Sequence, residues 1–161
     1  MDIVIANCQR TRTIDRRFLK EITRLLLAEL NIAPAGLDVN LVAAAQMTRL
    51  NETYLRHAGS TDVIAFDYSS PRPQTSKPKP QIHGEIFICV DEAVAQARRF
   101  GTSWQSEIVR YLVHGVLHLL GFDDATPGAR RRMKREENRR LRRLADRFSL
   151  AQLSRPARIS A

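Results

Sequence analysis

Two histidines in the second half of the chain have the spacing of a metal-binding pair. His114 and His118 are four residues apart, so on a helix their side chains lie on one face, one turn apart. Such a pair can place two imidazole nitrogens on a single metal ion. The alternative is a pair of hydrogen-bonded core histidines. Buried imidazoles without partners would be costly among these apolar neighbours, which favours the metal.

The residues after the pair offer a third ligand. Gly121 is the residue type that ends a helix in a left-handed conformation, so the chain can turn back towards the histidines. Either Asp123 or Asp124 can then supply a carboxylate. Two histidines and one carboxylate, with a fourth position open for water, form a catalytic zinc shell. The sequence therefore predicts one zinc ion per chain.

The residue after the first histidine limits what that zinc could do. Helical zinc proteases have a glutamate directly after the first histidine, and it serves as the general base. Here that position is Gly115, which counts against proteolysis by this route. The remaining chemistry is activation of water and polarisation of a substrate by the metal.

The elements that must position these residues form an α/β (α+β) pattern within 161 residues, a length typical of one domain. Hydrophobic periodicity predicts strands at 3–7, 38–43, 62–68 and 83–89. It predicts helices at 15–30, 46–56, 92–100, 104–120 and 128–148. We expect a single mixed sheet of about four strands, covered by about five helices. The helix at 104–120 is apolar nearly all round, so it should be the buried central helix that carries the histidines.

Local signals refine these boundaries. Pro34, Ala35 and Gly36 break the first helical pattern before the second strand. Asp91 is expected to cap the helix at 92–100, and Thr102 has capping-box spacing with Gln105. A proline-rich loop is expected at about 69–81, where four of the seven prolines occur together with Arg72, Lys77 and Lys79.

The charge distribution points to an anionic partner. The chain has 26 Lys and Arg against 17 Asp and Glu, a net charge of +9. Most of this excess lies in the last predicted helix, at 128–148. An apolar stripe of Met133, Leu141, Leu144 and Phe148 should dock this helix onto the core and leave the arginines outside. Nucleic acid is the first candidate partner, and a membrane surface is the second. We predict RNA contacts by Arg139, Arg140 and Arg143, and the alternative is a merely solvated helix face.

Five segments of the chain form a set of motifs. The central one is His114-Gly-x-Leu-His118-Leu-x-Gly121-Phe-Asp123. The flanking ones are Asn51-x-x-Tyr54, Thr61-Asp-Val-Ile-Ala-Phe66, His83-Gly-Glu-Ile-Phe-Ile88 and Met133-x-x-x-Glu137. Together these motifs resemble the YbeY family of bacterial single-strand-specific endoribonucleases. The resemblance implies an α/β fold with zinc in a cleft. It also implies a role in 16S ribosomal RNA 3′-end maturation and ribosome quality control, with ribosomal RNA and the ribosome as partners.

The resemblance also suggests where this chain departs from its relatives. The family's usual third ligand is a histidine at the position held here by Asp124, so we predict the zinc ligands to be His114, His118 and Asp124. Asp123 is then expected to hydrogen-bond within the turn. Leu55 stands where many members have an arginine associated with catalysis, and Arg56 follows it. We therefore assign no catalytic residue beyond the metal ligands.

Two other functions stay open on the sequence alone. One is a zinc hydrolase of another class, such as a protease, and the other is a ribosome-assembly factor with structural zinc. The apolar run at 111–122 is too short to span a membrane, and no signal peptide is visible. Cys8 and Cys89 are expected to be buried thiols in a reducing compartment, so a cytoplasmic location is expected.

Overall fold

A computed structural model describes residues 2–69 and 81–154 of the chain. Within them lie four strands: β1 (Ile3–Asn7), β2 (Ala33–Val42), β3 (Val63–Asp67) and β4 (Gln81–Cys89). The same residues form five α-helices: α1 (Arg16–Glu29), α2 (Ala44–Leu50), α3 (Val90–Phe100), α4 (Trp104–Leu119) and α5 (Pro127–Arg147). The predicted α+β fold is confirmed. Most of the predicted proline-rich loop, including its three basic residues, lies outside the described residues.

The strands form one mixed sheet in the order β1-β2-β4-β3. β2 is parallel to β1 and β4, whereas β3 is antiparallel to β4 at the edge. The register places Ile5, Val39, Ile86 and Ala65 in one row across the sheet. Ile5, Val39 and Ile86 of this row are buried, because α1 and α4 pack on this face of the sheet. Met47 of α2 packs with Val42, Ile64 and Cys89 in a second buried cluster.

Helix α4 is the buried central helix that the sequence predicts. It packs against α3, α5, β3 and β4, and most of its side chains are inaccessible to solvent. The hydroxyl of Ser103 accepts a hydrogen bond from the backbone N–H of Ser106 and so caps its first turn. No described helix is long and apolar enough to cross a membrane.

Helix α5 docks through the predicted stripe. Met133, Leu141 and Leu144 are buried, and Phe148 meets Phe18 of α1 edge to face at 5.5 Å between ring centroids. Glu137 fills the remaining position of the stripe and is buried as well. An ionisable residue in a docking stripe requires polar partners, and its partners belong to the metal site described below.

The predicted start of the second strand was wrong. β2 begins at Ala33 and includes Pro34 and Gly36, with an irregular register between those two residues. Pairing of β2 with β1 starts only at Leu37, so residues 33–36 are paired on one side alone. Pro34 has no N–H to donate, and it is tolerated in this part of β2 because the strand has a hydrogen-bonded neighbour on one side only.

Both predicted caps were also wrong. Asp91 lies inside the first turn of α3, and its carboxylate accepts hydrogen bonds from the backbone N–H of Ala44 and the hydroxyl of Thr11, each at 2.6 Å. Asp91 thus caps α2 across the fold, which local sequence could not reveal. Thr102 donates its hydroxyl to Glu107 instead of capping α4.

Two smaller expectations also need correction. The helix predicted at 46–56 is α2 followed by a π-helical segment, Asn51–Leu55, which ends at Arg56 in a left-handed conformation with φ 56°. Cys89 is buried as expected, but Cys8 is exposed because it lies just beyond the end of β1.

Candidate metal centre

The three predicted zinc ligands come together at the carboxyl-terminal end of α4. His118 Nε2 lies 2.9 Å from His114 Nε2 and 3.9 Å from Asp124 Oδ2. One potential ligand atom from each residue lies within 4.8 Å of the other two. The i,i+4 spacing therefore brings the two Nε2 atoms close together, as the sequence predicts.

These separations fit a small divalent metal ion. Tetrahedral zinc with Zn–N bonds of 2.0–2.1 Å holds its ligand atoms about 3.3 Å apart. The observed 2.9 and 3.9 Å lie on either side of that value. Side-chain exposure rises from 20% at His114 to 31% at His118 and 51% at Asp124, so the group opens to solvent on the Asp124 side. The chemistry and the spacing of these residues can hold a metal.

The turn after α4 determines which aspartate joins the histidines. Gly121 has φ 100°, a left-handed conformation that favours glycine, and it reverses the chain. Asp123 Oδ1 then accepts a hydrogen bond from the backbone N–H of Ala125 at 3.1 Å and stays within the turn. Asp124, one residue later, lies beside His118.

Glu137 of α5 orients the first histidine. Its Oε1 pairs with Nδ1 of His114, and its Oε2 lies 3.8 Å from Nη1 of Arg110. The same Arg110 nitrogen donates a hydrogen bond to Asn138 Oδ1 at 2.7 Å. A carboxylate on Nδ1 fixes the tautomer and directs Nε2 towards a metal, as is usual for metal-bound histidines.

Sequence reasoning did not find this role for Glu137. The available signal was a carboxylate inside the apolar stripe of a docking helix, between Met133 and Leu141. Such a residue is expected to have a buried partner. Its identity depends on how α4 crosses α5, which periodicity does not specify.

The surroundings shift the two histidine pKa values in opposite directions. Burial lowers the pKa of His114, but the hydrogen bond and charge of Glu137 outweigh it, and the net pKa is raised. Burial also lowers the pKa of His118, the charge of His114 lowers it further, and this pKa is lowered overall. His118 thus stays in the neutral, metal-binding form at lower pH than His114 does.

Gly115 leaves no space for the glutamate of a zinc protease. A Cβ atom at this position would lie 2.8 Å from Cγ2 of Ile86, which is fully buried in β4. Position 115 therefore faces the sheet and not the metal group. A base at this position is excluded by packing as well as by sequence.

The structure separates the three arginines predicted to contact RNA. Arg139 is exposed, whereas Arg140 Nε is 2.8 Å from Glu136 Oε1. Arg143 Nε lies 3.4 Å from Oε2 of Glu29 in α1. Two of the three are thus already next to a carboxylate.

Comparisons with known proteins agree with this architecture. The profile of the family described as endoribonuclease YbeY matches residues 4–145. The endoribonuclease YbeY of Chlorobium phaeovibrioides is 35% identical over 142 residues, covering 88% of this chain and 90% of that protein. The endoribonuclease YbeY of Salinibacter ruber is 32% identical over 132 residues, which cover 81% of this chain and 84% of that protein.

The solution structure of a Thermotoga maritima protein shares the fold, with a TM-score of 0.64 at 19% identity. The match covers 99% of this chain and 100% of that one. Fold and site together define an α+β protein with a potential metal centre of two histidines and a carboxylate on its central helix. The chain belongs to the YbeY endoribonuclease family.

Proposed function

We propose that the protein is a zinc-dependent endoribonuclease that cleaves single-stranded RNA. Its proposed role is 3′-end maturation of 16S ribosomal RNA and ribosome quality control in the bacterial cytoplasm, with the ribosome as partner. The observation that carries the proposal is the grouping of His114, His118 and Asp124 beside the buried Glu137. Membership of the YbeY family supports the reaction class.

Each residue of the site has a distinct role in this proposal. His114, His118 and Asp124 hold the zinc, and Glu137 fixes the ring of His114. A bound zinc ion supplies Lewis acidity towards a phosphodiester. In the described part of the chain the group has three members, which suits an open catalytic site better than a closed structural site with four protein ligands.

The anionic substrate fits the charge of the molecule. From Arg130 to Arg147, α5 carries nine Arg and one Lys against two Glu and one Asp. Lys and Arg side chains that neutralise phosphates release counterions, so RNA binding should weaken as salt rises. The surface next to the site is therefore suited to a nucleic-acid backbone.

The test is cleavage of a labelled single-stranded RNA that carries a 16S 3′-precursor sequence, with the same RNA in duplex form for comparison. His118→Ala should lose both its zinc and its cleavage activity. His83→Ala is the matched control, because His83 is an exposed histidine of β4 outside the metal group. Both variants should be checked for folding by circular dichroism.

The expected result is rapid cleavage of the single strand by the parent and by His83→Ala. Removing the metal with a chelator should abolish that cleavage, and zinc should restore it. Cleavage at the parent rate by His118→Ala, or cleavage that survives metal removal, would overturn the proposal.

A further inference from the structure

The cations of α5 lie on two flanks of the helix that face different neighbours. One flank is marked by Glu137 and Asn138, which contact His114 and Arg110 of α4. The other is marked by Arg143, which contacts Glu29 of α1. A basic helix that looks uniform in sequence therefore has one side towards the metal group and one side away from it.

The contacts between α4 and α5 show which cations lie beside the metal group. Arg110 and His114 meet Asn138 and Glu137, whereas Leu120 and Gly121, just after α4, line one cavity with Ala129 in the first turn of α5. The two helices therefore run antiparallel. Further along α4 towards His118, the neighbouring residues of α5 must have lower numbers. Positions 134 and 130 are one and two turns before Asn138.

Helical periodicity places both of these residues on the same flank. At 100° per residue, Lys134 is about 40° from Asn138 around the axis and about 60° from Glu137, and Arg130 is within about 20° of Glu137. The residues Arg139 and Arg143 are roughly 160° and 120° from Glu137 on the same count. Lys134 and Arg130 thus lie on the side of α5 that carries the Glu137–His114 contact.

Both residues are free to bind an anion. Arg130 and Lys134 are exposed, and within residues 2–69 and 81–154 neither has a carboxylate within ion-pair distance. On the other flank, Arg143 lies close to Glu29. Unpaired cations lose less on binding phosphate, because no existing ion pair has to be broken.

We propose that Arg130 and Lys134 bind backbone phosphates of the single-stranded RNA next to the metal site. This rests on the proposed function and deepens it, because it assigns the RNA path to the α4-facing flank of α5. It differs from the sequence-based prediction of Arg139, Arg140 and Arg143. Arg139 and Arg143 lie farther from Glu137 around the helix, and Arg140 lies about 60° from Glu137 on the side away from Asn138, where it pairs with Glu136.

The test compares two double variants of α5 that remove the same charge. Arg130→Gln/Lys134→Gln changes the proposed flank, and Arg139→Gln/Arg143→Gln changes the other. The probe is a short fluorescent single-stranded RNA with 2′-O-methyl groups. Its binding to the zinc-loaded protein is measured by anisotropy over a salt series. Circular dichroism and zinc content confirm that both variants are intact.

Each phosphate contact contributes about −0.7 to the slope of log affinity against log salt concentration for a single strand. Loss of two contacts should therefore weaken RNA binding by the Arg130/Lys134 variant about 25-fold at about 0.1 M salt. Its slope should flatten by about 1.4, and the Arg139/Arg143 variant should keep the parent slope. If the two variants lose RNA affinity equally, the RNA is attracted by the overall charge of α5, and the assignment of Arg130 and Lys134 as phosphate contacts is overturned. A larger loss in the Arg139/Arg143 variant would place the RNA on the other flank. Failure of the parent to bind or cleave RNA would instead overturn the proposed function.

Discussion

Glu137 should control how tightly the site binds zinc, although it is not a metal ligand. Its side chain is buried, and its two oxygens face Nδ1 of His114 and Arg110. Glu137→Gln keeps the shape but removes the charge that favours the Nδ1–H tautomer. Loss of such a partner typically weakens metal binding 10–100-fold, about 1.4–2.7 kcal/mol. Arg110 keeps its hydrogen bond to Asn138, so the loss in the free energy of unfolding should be smaller than the loss in the free energy of zinc binding.

The assay is competition for zinc between the protein and a chromophoric chelator at constant pH. Glu136→Gln is the matched control, because it makes the same change one residue earlier and its partner is Arg140 of the same helix. The control should bind zinc like the parent. Nitrogen-15 NMR of the His114 ring should report a change of tautomer only in Glu137→Gln.

Two results would refute this reasoning. One is parent-like zinc affinity in Glu137→Gln with an unchanged His114 tautomer, which would make the carboxylate a mere packing residue. The other is a loss of zinc affinity in Glu136→Gln as large as that in Glu137→Gln, which would indicate a general effect of the charge of α5.

Three further predictions concern packing and reactivity. Gly115→Ala should lower the free energy of unfolding by about 1–2 kcal/mol in urea titrations, because its Cβ would overlap the fully buried Ile86. Tyr111→Phe should raise that free energy by about 1 kcal/mol, because the buried Tyr111 hydroxyl has no hydrogen-bond partner among the described residues. A less stable variant would contradict this. Burial raises the pKa of the Cys89 thiol, so little thiolate forms near neutral pH and its reactivity with a thiol reagent should begin only at higher pH. At neutral pH the native protein should therefore react at the exposed Cys8 alone, and equal labelling of both cysteines would count against this prediction.

The sequence predicts most of the elements because their signals are local. β1 has the predicted bounds, and α4 and α5 end within one residue of theirs, since apolar periodicity and flanking glycines are properties of short segments. The His114–His118 pair was visible for the same reason, because helical geometry alone fixes its spacing.

The remaining features depend on contacts between distant segments. Asp91 has the signature of a local cap, yet it caps a helix 47 residues earlier in the chain. The partners of Glu137 lie 23 and 27 residues before it, across the packing of α4 on α5. The two flanks of α5 are likewise defined only once α1 and α4 are in place. No local pattern in the sequence carries that information.

Zinc K-edge X-ray absorption of the purified, zinc-loaded protein tests the central claim most directly. The site described here predicts two imidazole nitrogens at about 2.0–2.1 Å, with the rest of the shell made of oxygen from Asp124 and solvent. His114→Ala should lose one imidazole or the metal altogether. A shell containing sulfur, or one with no imidazole, would contradict a metal centre built on His114 and His118.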